Sequence, residues 1–89
     1  MTDINEILAE REKTHGSFDT HSILSQAFKE IMQNSLQWKN LPPYQKEALD
    51  MVSHKIARIL NGEAYFLDHW QDLVGYLQLV VNHLESLDD

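Results

Sequence analysis

The residues best suited to bind an anion are two cations near the end of the third predicted helix. Lys55 and Arg58 lie three positions apart, so both side chains project from the same face of that helix. Their aliphatic stems can pack at the border of a buried surface while the charges extend over a concavity. Arg58 could grip a phosphate or a carboxylate with two parallel hydrogen bonds. Alternatively, the two cations form an ordinary ion-pair network with Asp72 on the following helix.

Six residues are the candidates for one ligand-binding pocket, either within one subunit or shared between two: Arg11, His15, Lys55, Arg58, Asp72 and Tyr76. In this hypothesis the phosphate is contacted by Arg11 together with Lys55 or Arg58. Tyr76 or His15 stacks on a base, and Asp72 orients an arginine. Three cations are difficult to hold close together unless an anion or acidic partners balance them. The set therefore predicts a small anionic nucleotide as the ligand.

A magnesium-dependent enzyme is the alternative that the acidic residues suggest. Asp68 and Asp72 are four residues apart on the fourth predicted helix, and Glu47 and Asp50 are three apart on the third. Oxygen-rich pairs of this kind can hold magnesium, as in helical nucleoside triphosphate pyrophosphohydrolases. Asp68 is, however, equally explained as a helix cap, and the chain has no E-x-x-E pair. Without cysteine, an H-E-x-x-H motif or a glycine-rich phosphate loop, we predict no catalytic residue, no metal ligand and no cofactor.

Length and charge restrict the class of protein. A chain of 89 residues makes one domain, residues 1–89, in which a single core is only marginally sufficient, so we expect a homo-oligomer. The formal net charge of −7 argues against non-specific binding to DNA or RNA, which depends on cations that neutralise phosphates. No apolar run approaches the roughly 20 residues that span a bilayer, so no membrane partner is expected. The acidic N-terminal segment is unlike a secretory signal, and we expect a cytoplasmic location.

Hydrophobic periodicity predicts an all-α fold with four helices, near residues 3–13, 20–36, 43–60 and 68–86. Asp3 is suited to cap the first helix, and Asp19 or Thr20 the second. Gly16 permits a positive φ in the first turn, and Gly62 suits a left-handed position after the third helix. The short connections predict a compact, mostly antiparallel bundle.

The last two predicted helices carry apolar stripes that we assign to the core. On the third helix the stripe is Ala48, Leu49, Val52, Ile56, Ile59 and Leu60, and on the fourth it is Trp70, Leu73, Val74, Leu77, Val80, Val81 and Leu84. A second, semi-polar stripe on the fourth helix contains His69, Asp72, Tyr76, Leu79 and His83. We predict that this second stripe lies at a subunit interface. Gly75, within the fourth helix, suggests a close helix approach or a ligand against the backbone.

Three segments together carry a likeness to a known family. Residues 11–18 read R-x-x-x-H-G-x-F, residues 55–58 read K-x-x-R, and residues 68–76 read D-H-W-x-D-x-x-G-Y. In these segments the chain resembles a family of small phage and prophage proteins of unassigned function. The resemblance extends over roughly residues 11–79. It implies a phage origin and a place in the host cytoplasm, but no particular chemistry.

Local cations, stacking rings and an expected oligomer favour a phage-encoded binding protein. We expect it to sequester a nucleotide, such as a cyclic nucleotide signal of bacterial immunity, and so to counter host defence. The pyrophosphohydrolase described above is one alternative. Another is a protein-binding inhibitor of a host defence factor, whose acidic surface mimics nucleic acid. A mimic should carry its acids on one face, whereas here they are spread over all four predicted helices.

Overall fold

The computed structural model describes residues 3–87, which fold into four α-helices and one short 3₁₀ helix. The α-helices are α1 (Ile4–His15), α2 (Phe18–Gln33), α3 (Pro43–Asn61) and α4 (Leu67–Ser86), and the 3₁₀ helix spans Trp38–Asn40 between α2 and α3. No β-strand occurs within residues 3–87, which confirms the all-α prediction. Each α-helix begins and ends within three residues of its predicted bounds. None of the described helices is long and apolar enough to cross a membrane.

The helix ends follow the sequence in part. Asp3 caps α1 as predicted, because its carboxylate accepts a hydrogen bond from the Asn5 amide at 3.2 Å. Helix α2 begins at Phe18 after Ser17, earlier than the predicted cap, and Ser17 makes no capping hydrogen bond with its side chain. Helix α4 likewise begins after Phe66, so Asp68 lies in its first turn instead of at the cap position. A carboxylate there still interacts favourably with the positive end of the helix dipole.

Helix α3 is the centre of the fold. Helices α2 and α4 both pack along α3 and make little contact with each other. The three helices therefore form a single open layer, with α3 in the middle. Helix α1 packs more lightly on α2 and α3. This architecture leaves one broad side of the layer without a covering element among the described residues.

The buried residues of this layer are few, and most are small or polar. Among residues 3–87 the buried hydrophobic side chains are Ala48 and Ala57. Ser25 of α2 and Ser53 of α3 are also buried, and small residues allow two helices to approach closely. Large apolar side chains supply most of the hydrophobic free energy of a core. Among residues 3–87 such side chains are half-buried or exposed.

The apolar stripes predicted to form the core are largely exposed in this chain. Seven of their residues have exposed fractions between 36% and 65%: Leu49, Leu60, Trp70, Val74, Leu77, Val81 and Leu84. Helix α4 faces α3 with residues of both stripes: His69 is buried and Tyr76 half-buried, and Leu73 and Val80 of the apolar stripe are half-buried as well. The prediction that the whole apolar stripe of α4 lies in the core of the chain was therefore wrong. The reason is that polar contacts, described below, fix the semi-polar side of α4 on α3.

Candidate functional site

Two glycines allow the turn between α1 and α2 to lie directly against the end of α3. Gly16 has a φ of 78°, the positive value that the sequence predicts for this turn. Gly62 has a φ of −124°, so the predicted left-handed conformation is wrong. Glycine is needed there for a different reason: a Cβ atom on Gly62 would lie 2.2 Å from the carbonyl oxygen of Thr14. The two chain segments touch through their backbones.

Hydrogen bonds fasten this turn to α3 and α4. The Asn61 side-chain amide donates to the carbonyl oxygens of His15 at 3.2 Å and Ser17 at 2.8 Å. The carbonyl oxygen of Thr14 accepts from the Glu63 amide at 2.8 Å and lies 3.1 Å from Nε2 of His69, which therefore donates to it. Buried His69 thus has a structural role. The C-terminal end of α1 is consequently fixed beside α3.

A cavity of about 260 Å³ lies beside this turn, between α1, α2 and α3. Leu8 and Phe18 supply apolar walls. The polar lining comes from six residues, five of which are cationic or basic: Arg11, Glu12, His15, His21, His54 and Arg58. The cavity is therefore basic, although the chain as a whole carries a net charge of −7.

The two arginines at the cavity lack a carboxylate partner. Among residues 3–87 the ion pairs within 4.0 Å are Lys13 with Glu10 and Lys55 with Asp72, so neither Arg11 nor Arg58 is included. Burial and the positive charge of Arg11 lower the pKa of Arg58 from its usual value, and the smaller effects of Asp72 and Tyr76 oppose this change. The net result is that the charged guanidinium of Arg58 is less stable here than in water. An anion between the arginines would offset the repulsion from Arg11.

Two neighbouring histidines form the wall next to Arg58. Nε2 of His21 lies 3.3 Å from Nδ1 of His54, and the rings meet edge to face with centroids 4.5 Å apart. Burial, followed by the charge of Arg58, lowers the pKa of His54 to about 4 and lowers that of His21 as well. Both rings are therefore neutral at pH 7. The side chain of His21 is 6% exposed, and its buried Nδ1 has no hydrogen-bond partner among the described residues.

His15 lines the cavity but is already packed on its other side. Its ring contacts the ring of His69 edge to face at 4.9 Å, and His69 meets Phe66 at the same distance. Burial and the charge of Arg58 lower the pKa of His15. A neutral ring supported in this way offers a rigid surface to a ligand.

Three of the six predicted site residues line the cavity, and the other three do not. Arg11, His15 and Arg58 line the cavity. Lys55 instead forms an ion pair with Asp72 at 2.8 Å between α3 and α4, and this contact lowers the pKa of Asp72. For Lys55 and Asp72 the geometry is that of the internal ion pair, the structural alternative given above.

Tyr76 does not line this cavity. It lines a separate groove with Tyr44 and His83, whose rings have centroids 4.0 Å apart. Gly75 beside it has no atom within 4 Å of a Cβ atom built on it, so the close helix approach expected there does not occur among residues 3–87.

The His21–His54 pair is not among the predicted site residues. Helical periodicity puts His54 outside the apolar stripe of α3, yet its ring is half-buried against α2. One available signal is that His54 lies one turn before Arg58 and so shares its face. No comparable signal exists for His21, because it is separated from its partner by 33 residues.

The acidic residues considered as magnesium ligands do not converge in the described structure. Residues 3–87 contain no group of three histidine, aspartate or glutamate side chains arranged to hold a metal ion. Asp72 is paired with Lys55, and His69 is bonded to a carbonyl group. Asp50 has one buried carboxylate oxygen without a partner in the described range, one turn before His54.

Comparison with known proteins gives no matching family model, no matching curated protein and no matching solved structure.

Proposed function

We propose that this chain is a small nucleotide-binding protein that holds a phosphate group of its ligand between Arg11 and Arg58. The observation that carries the proposal is the pair of arginines at one cavity with no carboxylate within 4.0 Å in the described structure. Burial is the larger cause of the lowered pKa of Arg58, and repulsion by the positive charge of Arg11 adds to it. Bidentate guanidinium contacts are well suited to phosphate and would replace that repulsion by attraction.

The other residues of the cavity fit the same type of ligand. His15 and Phe18 offer ring surfaces on which a base can stack. The buried Nδ1 of His21 has no hydrogen-bond partner in the described structure, and a small shift of the ring would let a polar group of the ligand reach it. Glu12 is the acidic residue of the lining, and it can accept hydrogen bonds from a base or a ribose hydroxyl.

The volume of the cavity bears on the size of the ligand. Pockets that enclose a drug-sized ligand typically measure roughly 300–1,000 Å³, and this one measures about 260 Å³. The cavity is thus too small to enclose a whole nucleotide, and we propose that it holds the phosphate and part of the base of one nucleotide unit. A cyclic dinucleotide would place one phosphate and part of one base here and extend beyond the cavity.

The biological part of the proposal rests on the resemblance described above. We propose that the protein is encoded by a phage, assembles as a homo-oligomer in the host cytoplasm, and sequesters a cyclic nucleotide signal of host immunity.

Isothermal titration calorimetry with four probes tests the proposal: inorganic phosphate, a nucleoside monophosphate, a cyclic dinucleotide and the uncharged nucleoside. We expect the phosphate-bearing nucleotides to bind and the nucleoside to bind much more weakly. Replacement of one charged hydrogen-bond donor typically removes about 1.5–3 kcal/mol, so Arg11→Gln should weaken binding by about 10- to 150-fold.

Lys13→Gln is the matched control. It removes the same charge from the same helix, but Lys13 is exposed and pairs with Glu10 away from the cavity. It should leave affinity nearly unchanged. The proposal is wrong if no phosphate-bearing probe binds, or if both variants weaken binding equally. If a nucleoside triphosphate is instead cleaved in magnesium and Asp72→Asn stops the cleavage, the pyrophosphohydrolase alternative is correct.

A further inference from the structure

An extended apolar surface covers one side of the three-helix layer. The groove between α2 and α3 is lined by Phe28, Ile31, Met32, Leu49, Val52 and Ile56. Leu49 also lines the neighbouring groove between α3 and α4, so the two grooves are continuous.

The α4 side of this surface is formed by the stripe that the sequence assigns to the core. Leu77, Val80 and Leu84 line the groove against α3, and Trp70 and Val74 continue the stripe along the helix. No charged side chain lines either groove. We call this continuous surface, formed by the two grooves together with Trp70 and Val74, the apolar face. Within residues 3–87 no element covers it.

The chain has a larger radius and a larger exposed surface than a compact monomer of the same length. A compact domain of 89 residues has a radius of gyration of about 12 Å, whereas this chain measures 15.4 Å. A folded monomer of 10.4 kDa typically exposes about 5,400 Å², whereas this chain exposes 6667 Å². The excess of roughly 1,300 Å² lies within the range that each partner buries in an obligate dimer.

We propose that the apolar face is the self-association surface of this protein, and that a second copy of the chain covers it by packing face to face about a two-fold axis. The interior of the chain supports this choice of partner. With Ala48 and Ala57 as its buried hydrophobic residues in the described range, one copy has almost no apolar core of its own. The partner that completes the core must accompany every copy, and another copy always does.

The composition of the face suits a symmetric contact. In a two-fold dimer the same residues meet from both sides, so charged residues at the centre would face like charges. The two grooves lack such residues, and each chain keeps its acidic residues on other surfaces. Leucine, valine and phenylalanine in this arrangement would form the interior of a two-layer helical sandwich. The cavity beside Arg58 lies outside both grooves and stays accessible.

The apolar face is the contact surface for the homo-oligomer included in the proposed function, and this inference therefore extends that proposal. Its test requires no ligand, so assembly and nucleotide binding can fail separately.

Two substitutions on α4 separate this face from the semi-polar stripe. Leu77→Glu places a charge on the apolar face, and Leu79→Glu is the matched control, with the same change on the flank that contains Tyr76. Light scattering of the wild-type chain should give a mass of two copies or a multiple of two. We expect Leu77→Glu to raise the dissociation constant at least 100-fold and Leu79→Glu to leave the mass unchanged.

A measurement on the unmodified chain covers the case in which Leu77→Glu fails to fold. Unfolding of an obligate dimer is coupled to dissociation, so the midpoint temperature should rise with protein concentration. A wild-type mass of one chain with a concentration-independent midpoint would overturn the proposal. A dimer that Leu79→Glu dissociates and Leu77→Glu does not would also overturn it, in favour of the semi-polar stripe.

Discussion

Substitution of Gly62 by alanine should destabilise the protein strongly, because the added methyl group meets backbone. A Cβ atom there would lie 2.2 Å from the carbonyl oxygen of Thr14 and 2.7 Å from Cα of His15. Ordinary van der Waals contact is about 3.5–4.0 Å, so the α1–α2 turn would have to move by more than 1 Å. A flexible side chain could rotate away from such a contact, but a backbone segment cannot.

The hydrogen bonds of the turn set the expected magnitude. The displacement would stretch the bonds to the Thr14 carbonyl from Glu63 and His69, and the bond from Asn61 to the His15 carbonyl. At about 1 kcal/mol net for each bond, the loss is about 3 kcal/mol, a large part of the stability of a small domain. In a domain of this size such a change lowers the melting temperature by about 12–24 °C.

Gly75→Ala provides the control in the same assay. Gly75 lies inside α4, and a Cβ atom on it would meet no atom within 4 Å. Alanine is about 0.5–1 kcal/mol better than glycine in a helix interior, so this variant should melt at a higher temperature than the wild type. Thermal unfolding followed by circular dichroism, at one protein concentration for all variants, measures both effects. Equal melting temperatures of Gly62→Ala and the wild type would show that Gly62 does not lie against the backbone of Thr14 and His15.

Two further predictions concern pH. His54 has a pKa of about 4 in the folded chain and about 6.5 when unfolded, so its contribution to stability is complete above pH 6.5 and is lost towards pH 4. After allowance for the partial exposure of the ring, urea unfolding should show a loss of about 1–2 kcal/mol over this interval. Most of this loss of stability should disappear in His54→Asn. If the free energy of unfolding of the variant still depended on pH as in the wild type, the loss would not come from His54. Asp72 has a lowered pKa because of Lys55, so its contribution is present above its unfolded pKa of about 4 and is lost below it. Asp72→Asn should therefore melt below the wild type at pH 7, and the difference should vanish on acidification below pH 4; a difference that persists there would have another origin.

The helices themselves could be predicted from the sequence because their signals are local. The period of 3.6 residues is visible within each helix. The helix ends are marked by nearby residues: Asp3 caps α1, Gly16 follows α1, and Pro43 begins α3. Arg11, His15 and Arg58 were also identified in advance, because cations near turns and helix borders are unusual enough to notice. Their meeting at one cavity follows from the docking of the α1–α2 turn, which joins residues up to 55 positions apart.

The sequence by itself determined four amphipathic helices, but only the tertiary structure decided which face of each helix meets which partner. Periodicity shows that Leu77 and Leu84 share a stripe, and it is silent on whether α3 or another copy covers that stripe. The buried His69 and the ion pair between Lys55 and Asp72 settle the question for α4, because they fix its semi-polar side on α3. The cavity depends in the same way on contacts between distant residues, since no local rule places His21 beside His54.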